Sequence, residues 1–119
     1  MDWDATVVPP SPPPEISIVV PIYNEEDSLV PLASAITEAL ATLDVSYELL
    51  FVDDGSGDHT AQVLRELAAK QPEVRIIRFR QNAGQSAALD AGFKEARGPR
   101  VVTLDADLQN DPRDIPRVL

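Results

Sequence analysis

Four short apolar runs alternate with stretches of helical periodicity, and this alternation constrains the fold more than any other feature. The runs are rich in β-branched residues and end at Pro, Asp or Arg, which is typical of buried strands; they cover residues 16–20, 49–52, 74–79 and 101–104. Apolar residues recur every three or four positions between them, as in amphipathic helices. We therefore predict a βαβαβαβ half-domain with a parallel sheet, followed by the start of a helix near Asp111.

Individual residues refine this prediction. Pro21 is expected to end the first strand, because proline cannot donate to a ladder. Ser28 is the best N-cap of the first helix, since it places the following proline in the first turn. Arg75, Arg78 and their neighbours make the third strand look half-exposed and edge-like. Phe93 is expected on the inward side of the third helix.

Composition separates a short tail from one domain. Residues 1–15 contain a proline-rich run at 9–14 and are predicted to form a disordered tail, with the domain covering 16–119. There is no cysteine, and the formal net charge is −10. That charge argues against binding nucleic acid by simple attraction. The first residues lack a basic n-region, and no apolar run is long enough to span a bilayer.

Two carboxylates follow the last strand at positions i and i+2. Asp105 and Asp107 would point to the same side of extended backbone and repel each other, a conflict that a divalent cation removes. Mg²⁺ or Mn²⁺ suits such oxygen ligands and keeps positions open for substrate phosphates. A solvated acidic turn is the simpler reading of an isolated D-x-D motif. However, polar loops at 23–26 and 53–58 follow two other strands, and ligands of parallel sheets bind at this edge.

Common nucleotide-binding signatures are missing from the sequence. No G-x-G-x-x-G follows the first strand, which disfavours a dinucleotide-binding domain, and no G-x-x-x-x-G-K-[ST] loop occurs anywhere. The single histidine, His59, lies in a polar turn and is best explained as a solvated loop residue.

Four ordered motifs carry a family resemblance: VPIYNEE at 20–26, VDDGSGDHT at 52–60, NAGQSAA at 82–88 and LDADLQNDP at 104–112. Together they resemble the N-terminal half of a family 2 glycosyltransferase of the GT-A (Rossmann-like) fold. Within that family they look most like dolichyl-phosphate mannose synthases and bacterial polyprenyl-phosphate sugar transferases. The resemblance covers the chain from Ile16 onward.

The resemblance implies a role for each matching residue. Tyr23 would offer a flat face to a base, and Glu25 would accept from ribose or base. Asp54 would accept from the Watson–Crick edge of the base. Asp107 would be the catalytic metal ligand, with Asp105 reaching the ribose or the metal. The implied contacts to the nucleotide-sugar are Pro21, Tyr23, Glu25, Val52, Asp54, Gly84, Asp105, Ala106 and Gln109.

Neighbouring residues are expected to shape the backbone. The loop at 82–86 would close over the nucleotide, with Gly84 allowing a close approach. Asp53 is expected to orient the turn at Gly55–Ser56. Asp58 is expected to cap the second helix.

The implied reaction is inverting transfer of a sugar from a UDP- or GDP-linked donor to a polyprenyl (dolichyl or undecaprenyl) phosphate. Mg²⁺ or Mn²⁺ would stabilise the leaving diphosphate. A cytoplasmic location is expected, at the membrane face for the full-length protein. Because the family continues well past the D-x-D motif, the 119 residues are expected to be an incomplete fragment with little activity alone. Two alternatives stay open: a metal-dependent nucleotidyl transferase and a non-catalytic nucleotide-binding module.

Overall fold

The computed structural model describes residues 3–5 and 12–106, which form one sheet with helices on both faces. The elements in chain order are β1 (Trp3–Ala5), β2 (Ile16–Ile22), α1 (Leu29–Ala41), β3 (Tyr47–Asp53), α2 (Thr60–Lys70), β4 (Val74–Phe79), α3 (Gln85–Glu95) and β5 (Arg100–Thr103). The strand order is β1-β4-β3-β2-β5, and β2 to β5 run parallel. The predicted parallel α/β architecture is confirmed. The helix predicted near Asp111 lies outside the described residues.

The first strand corrects two predictions. Residues 1–15 were predicted to form a disordered tail, but Trp3–Ala5 pair antiparallel with β4, from Trp3 opposite Phe79 to Ala5 opposite Ile77. The prediction is therefore wrong for these three residues. Pairing with β1 satisfies backbone groups of β4 that an edge strand would leave free. The edge-like interpretation of β4 is wrong for the same reason, and Arg75 on that strand is buried rather than solvated.

Pro21 does not end β2, which continues to Ile22. The carbonyl of Val19 accepts from the backbone N–H of Leu104, and the carbonyl of Ile22 accepts from that of Asp54. Backbone direction alternates along a strand, so Pro21 faces the β5 side, where the paired register ends at Val19–Thr103. A proline fits there because no ladder hydrogen bond is lost.

Two apolar layers hold the sheet. One face of β2 packs under α1 and α2, with Ile18 and Val20 against residues such as Leu32 and Leu64. The opposite face packs under α3, where Val19 and its neighbours meet the small residues Ala88 and Ala91, with Leu89 partly buried beside them. A Cβ added at Gly92 would lie 2.4 Å from Cγ1 of Val19. This close approach sets Gly92, in the C-terminal half of α3, directly against the sheet.

The same close approach explains why Phe93 is not inward. Ala88, Ala91 and Gly92 form the buried face of α3, whereas Phe93 is 51% exposed. A phenylalanine ring has no room where a single added methyl group would contact Val19. The prediction of an inward Phe93 is therefore wrong.

Candidate nucleotide-sugar site

A pocket of about 160 Å³ opens at the carboxyl ends of β2, β3 and β5. Its lining residues are Pro21, Ile22, Tyr23, Glu25, Asp54, Gln85, Asp105 and Ala106. The crevice outside the strand ends is the usual ligand position in open α/β sheets. Residues chosen from three separate sequence motifs thus meet in one cleft.

Some of the expected site residues lie elsewhere. Val52 is fully buried in the core under α3 and does not line the pocket. Gly84 lies beside the pocket as the N-cap residue of α3, with a φ of +100° that favours glycine. Asp107 and Gln109 are outside the described residues.

The loop after β2 is fastened to the loop after β3. Backbone N–H of Asn24 donates to Oγ of Ser56 at 2.9 Å, and Oδ1 of Asn24 accepts from the N–H of Gly57 at 2.9 Å. The φ of Asn24 is +51°, a conformation that asparagine tolerates better than most residues. This brace leaves the Tyr23 side chain half-exposed at the pocket, available to stack on a flat ligand.

Glu25 is held by the start of α1. Oγ of Ser28 donates to Oε2 of Glu25 at 3.0 Å, and the N–H of Ser28 donates to the carbonyl of Glu25. Ser28 is the N-cap residue as predicted, but its hydroxyl makes no capping hydrogen bond to α1. Oε1 of Glu25 has no hydrogen-bond partner among the described residues and is available to a ligand.

The two aspartates after β3 face different tasks. Oδ1 of Asp53 accepts from the N–H of Ser56 at 3.0 Å, which confirms its predicted role in the turn at Gly55–Ser56. Asp54 accepts from the 82–84 loop instead, including the N–H of Ala83 at 2.7 Å. Asp58 accepts from the N–H of Thr60 at 2.9 Å, so it stabilises the start of α2, although the N-cap residue is His59.

Gln85 is a pocket residue that the sequence analysis did not single out. Its Nε2 donates to Oδ1 of Asp105 at 3.3 Å. The signal available in the sequence was its position directly after a glycine that opens a helix, because such a residue lies at the helix N-terminus beside the strand ends.

The pocket carries negative charge that the described part of the chain does not neutralise. Glu25, Asp54 and Asp105 all line it, and no Lys or Arg of residues 12–106 forms an ion pair with any of them. Within that part of the chain, no three His, Cys, Asp or Glu side chains are grouped to hold a metal ion by themselves. Mg²⁺ needs only one or two carboxylates when substrate phosphates complete its shell. Asp105 therefore fits as one hard-oxygen ligand.

The pocket and sheet define the chain as an α/β protein with a candidate ligand site at the carboxyl edge of its parallel strands. The family model for glycosyl transferase family 2 matches residues 17–119, and the chain belongs to that family. The family match confirms the resemblance drawn from the four motifs.

Curated relatives agree with the subgroup. The chain is 48% identical over 105 residues to an undecaprenyl-phosphate 4-deoxy-4-formamido-L-arabinose transferase of Pseudomonas fluorescens, covering 87% of this chain and 31% of that protein. It is 45% identical to the protein of the same name from Klebsiella pneumoniae, covering 91% and 33%. The chain therefore spans about a third of the length of the curated relatives it matches.

Solved structures share the fold. A mannosyltransferase from Pyrobaculum calidifontis in complex with GDP-Man and Mn²⁺ matches with a TM-score of 0.65 and 28% identity, covering 94% of this chain and 32% of that one. A glucosyl-3-phosphoglycerate synthase from Mycobacterium tuberculosis in complex with UDP matches with a TM-score of 0.66 and 28% identity, covering 87% and 38%. The predicted GT-A fold is confirmed. None of the helices in the described ranges is long and apolar enough to cross a membrane.

Proposed function

We propose that this chain is the nucleotide-sugar-binding part, residues 16–119, of a glycosyltransferase that acts on a polyprenyl phosphate. One observation carries the proposal: three carboxylates that have no basic partner within residues 12–106, and a half-exposed tyrosine, surround one pocket at the carboxyl edge of a family 2 domain. A nucleoside diphosphate has a flat base for the tyrosine and two phosphates that require a cation beside carboxylates. The family assignment of the relatives supports the same ligand class.

In this proposal each residue of the site binds a different part of the nucleotide-sugar donor. Tyr23 stacks on the base, and the free oxygen of Glu25 accepts from a ribose hydroxyl or a base N–H. Pro21 and Ala106 shape the pocket walls, while Val52 supports its floor from the core. Gly84, at the start of α3, gives the donor phosphates a close approach to backbone N–H groups. Gln109 lies beyond the described part of the chain and faces the donor sugar or acceptor in this proposal.

Asp105 and Asp107 hold Mg²⁺ or Mn²⁺ in the proposed enzyme, with Asp107 as the catalytic ligand. When bound, the cation neutralises charge that develops on the leaving nucleoside diphosphate. The acceptor phosphate oxygen attacks C1 of the sugar, the bond from C1 to the diphosphate oxygen breaks, and the configuration at C1 inverts. Because this acceptor is already an anion, the chain needs no strong general base. Its own residues bind the donor and keep it aligned.

The sugar acceptor in this proposal is taken from the relatives, whose names state an undecaprenyl-phosphate substrate. We extend that acceptor class to the protein that contains this chain, and we place its work at the cytoplasmic face of a membrane. The 119 residues contain the donor pocket of this proposal, so binding rather than transfer is the property to measure on them.

Calorimetric titration of UDP and GDP, each with and without Mn²⁺, tests the proposal. We expect metal-dependent binding of at least one nucleotide by the wild type and its loss in Asp107→Ala. Asp44→Ala, an exposed acidic residue in the connection between α1 and β3, is the matched control and is expected to bind as the wild type does. Folded wild-type protein that binds neither nucleotide would overturn the proposal.

A further inference from the structure

The backbone at Asp105 is fixed by its two neighbours in the chain. Leu104 and Ala106 are each 5% exposed and belong to the apolar core under α1 and α2. The N–H of Leu104 also donates to the carbonyl of Val19 at 3.1 Å, which ties this segment to β2. The Asp105 side chain lines the pocket instead of joining the core. Its backbone therefore cannot move far when a ligand enters the pocket.

The freedom that remains at Asp105 is rotation of the side chain itself. Nε2 of Gln85 donates to Oδ1 of Asp105 at 3.3 Å, and the described residues form no other hydrogen bond to this carboxylate. One carboxylate oxygen is thus held by the protein, and the other oxygen, Oδ2, is available to a ligand.

Gln85 is built into the fold at the right place to hold that oxygen. It is the first residue of α3, and α3 is fixed to the sheet through its buried residues Ala88, Ala91 and Gly92. Among the described residues that line the pocket, Gln85 carries the only side-chain N–H donor. Its amide is uncharged, so it can orient the carboxylate without neutralising it. Carboxylates that bind metal ions are commonly oriented by such a second hydrogen bond.

We propose that Gln85 is a positioning residue, which holds Oδ1 of Asp105 so that Oδ2 faces the cation of the bound nucleoside diphosphate. The inference rests on the proposed function, because it concerns the same nucleotide site. It connects the start of α3 to the segment after β5, so that the two elements bind the cation together although only Asp105 contacts it.

Mn²⁺ affinity in the presence of UDP or GDP tests the positioning role, with free Mn²⁺ followed by electron paramagnetic resonance. Gln85→Met keeps the length and the helix propensity of the side chain and removes the donor. We expect Mn²⁺ affinity to fall by about threefold to tenfold, the usual contribution of one hydrogen bond. In an Asp105→Ala background, which keeps Asp107, the same change is expected to have no further effect. A merely structural loss would add to that of Asp105→Ala.

Gln62→Met is the matched control. Gln62 is an exposed residue of α2, and its Nε2 donates to Oε1 of Glu66 at 3.4 Å, so the same chemical change removes a similar hydrogen bond away from the pocket. We expect its Mn²⁺ affinity to equal that of the wild type.

The side-chain amide resonances of ¹⁵N-labelled protein provide a readout that needs neither metal nor nucleotide. Those of Gln85 are expected to shift in Asp105→Ala, because their acceptor is lost, while those of Gln62 stay in place. Backbone amide resonances of β2 and β3 that keep their positions would report an intact fold.

The outcomes separate the inference from the proposed function. A wild type that binds Mn²⁺ with a nucleotide, combined with an unchanged affinity in Gln85→Met or an equal loss in both backgrounds, would overturn the positioning role alone. Unshifted Gln85 side-chain resonances in Asp105→Ala would also overturn it. A folded wild type that binds neither nucleotide with Mn²⁺ would overturn the proposed function and the inference together.

Discussion

The two ends of the sheet both bury carboxylates but treat their charge in opposite ways. At the amino end, Glu48 on β3 pairs with Arg75 on β4 at 2.8 Å, and both side chains are less than a tenth exposed. At the carboxyl end, Asp54 is equally buried but is satisfied by uncharged N–H groups alone. At the amino end, the negative charge of Glu48 is therefore neutralised within the protein by Arg75. Among the described residues, the carboxyl end keeps carboxylates without a basic partner, and we propose that an external cation neutralises them.

The amino end is a connected hydrogen-bond network, although Nε of Arg75 is buried without a hydrogen-bond partner among the described residues. Glu48 also accepts from Oγ of Ser17 and from the N–H of Arg97, and Oγ of Ser17 accepts in turn from the N–H of Gly98. Arg75 extends the network to Glu95 at the end of α3. Burial alone would raise the pKa of Glu48, but hydrogen bonds from Ser17, Arg97 and Arg75 outweigh it and hold the pKa below its ordinary value.

The difference shows how the fold divides stability from binding. Removing one partner of a buried charge pair leaves an uncompensated charge, which is expensive. A carboxylate held only by loop N–H groups is cheaper to lose. We therefore expect substitutions at the amino end to change mainly the free energy of unfolding and substitutions at the carboxyl end to change mainly ligand affinity.

The largest effect is expected for Glu48→Ala, which removes the shortest ion pair of the buried Arg75 and leaves Oγ of Ser17 and the N–H of Arg97 without this acceptor. The free energy of unfolding should fall by about 3–5 kcal/mol, measured by urea denaturation. Asp54→Asn should cost less, about 1–3 kcal/mol, because it removes hydrogen bonds without stranding a charge. Equal losses for the two variants would remove the distinction between the two ends of the sheet.

Gly55→Ala is expected to cost less than Glu48→Ala. Gly55 has a φ of +72°, and its added Cβ would lie 2.5 Å from the backbone of Gln81 and Asn82. Positive φ and overpacking together should cost roughly 2–4 kcal/mol. Gly57→Ala is the control, because no atom lies within 4 Å of its added Cβ. If both variants unfold at the same urea concentration, the two loops do not press on each other as described.

Acid is expected to act through the amino end. The pKa of Glu48 lies below its ordinary value of 4.5, so its ionised form contributes stability above about pH 4.5 that is lost as the pH falls through the folded-state pKa. Glu48→Gln removes that titration. The stability difference between wild type and Glu48→Gln should thus be largest at neutral pH and narrow toward pH 3. A difference that is constant across this range would assign acid sensitivity to other carboxyl groups.

The smallest effect is expected for Ser28→Ala. A capping serine usually contributes about 0.5–2 kcal/mol, but the Ser28 hydroxyl contacts Glu25 and not the helix. Its removal should change the free energy of unfolding by less than about 0.5 kcal/mol. The freed Glu25 side chain should alter nucleotide affinity more than stability. A stability loss above 1 kcal/mol, in the range of a true cap, would contradict the described hydrogen bond.

Periodicity predicted the elements that pack through large side chains. The stripe Leu29, Leu32 and Ile36 predicted α1, and the apolar runs predicted the four parallel strands because buried strands need such residues. Strand-end acids predicted which edge carries the pocket, since parallel strands all deliver their carboxyl ends to one side. These features depend on local pattern, which the sequence displays directly.

The features that sequence analysis got wrong depend on neighbours distant in the chain. Phe93 points outward because Gly92 lies against Val19. Arg75 is buried because it forms an ion pair with Glu48 on the neighbouring strand. Pro21 stays in β2 because β5 has already ended beside it. Likewise, no local pattern shows that the Asp54 carboxylate accepts hydrogen bonds from a loop about 30 residues later in the chain.

Paramagnetic broadening by Mn²⁺ would show which end of the sheet binds the cation. Amide resonances of ¹⁵N-labelled protein would be recorded with UDP or GDP while Mn²⁺ is titrated at low ratios, with Mg²⁺ as the diamagnetic control. We expect the amides beside Glu25, Gln85 and Asp105 to broaden first, whereas those beside Ser17, Glu48 and Arg97 should keep their intensity. Broadening that is uniform over the surface, or that begins at the amino end, would contradict the claim that the carboxyl end is the cation-dependent nucleotide site.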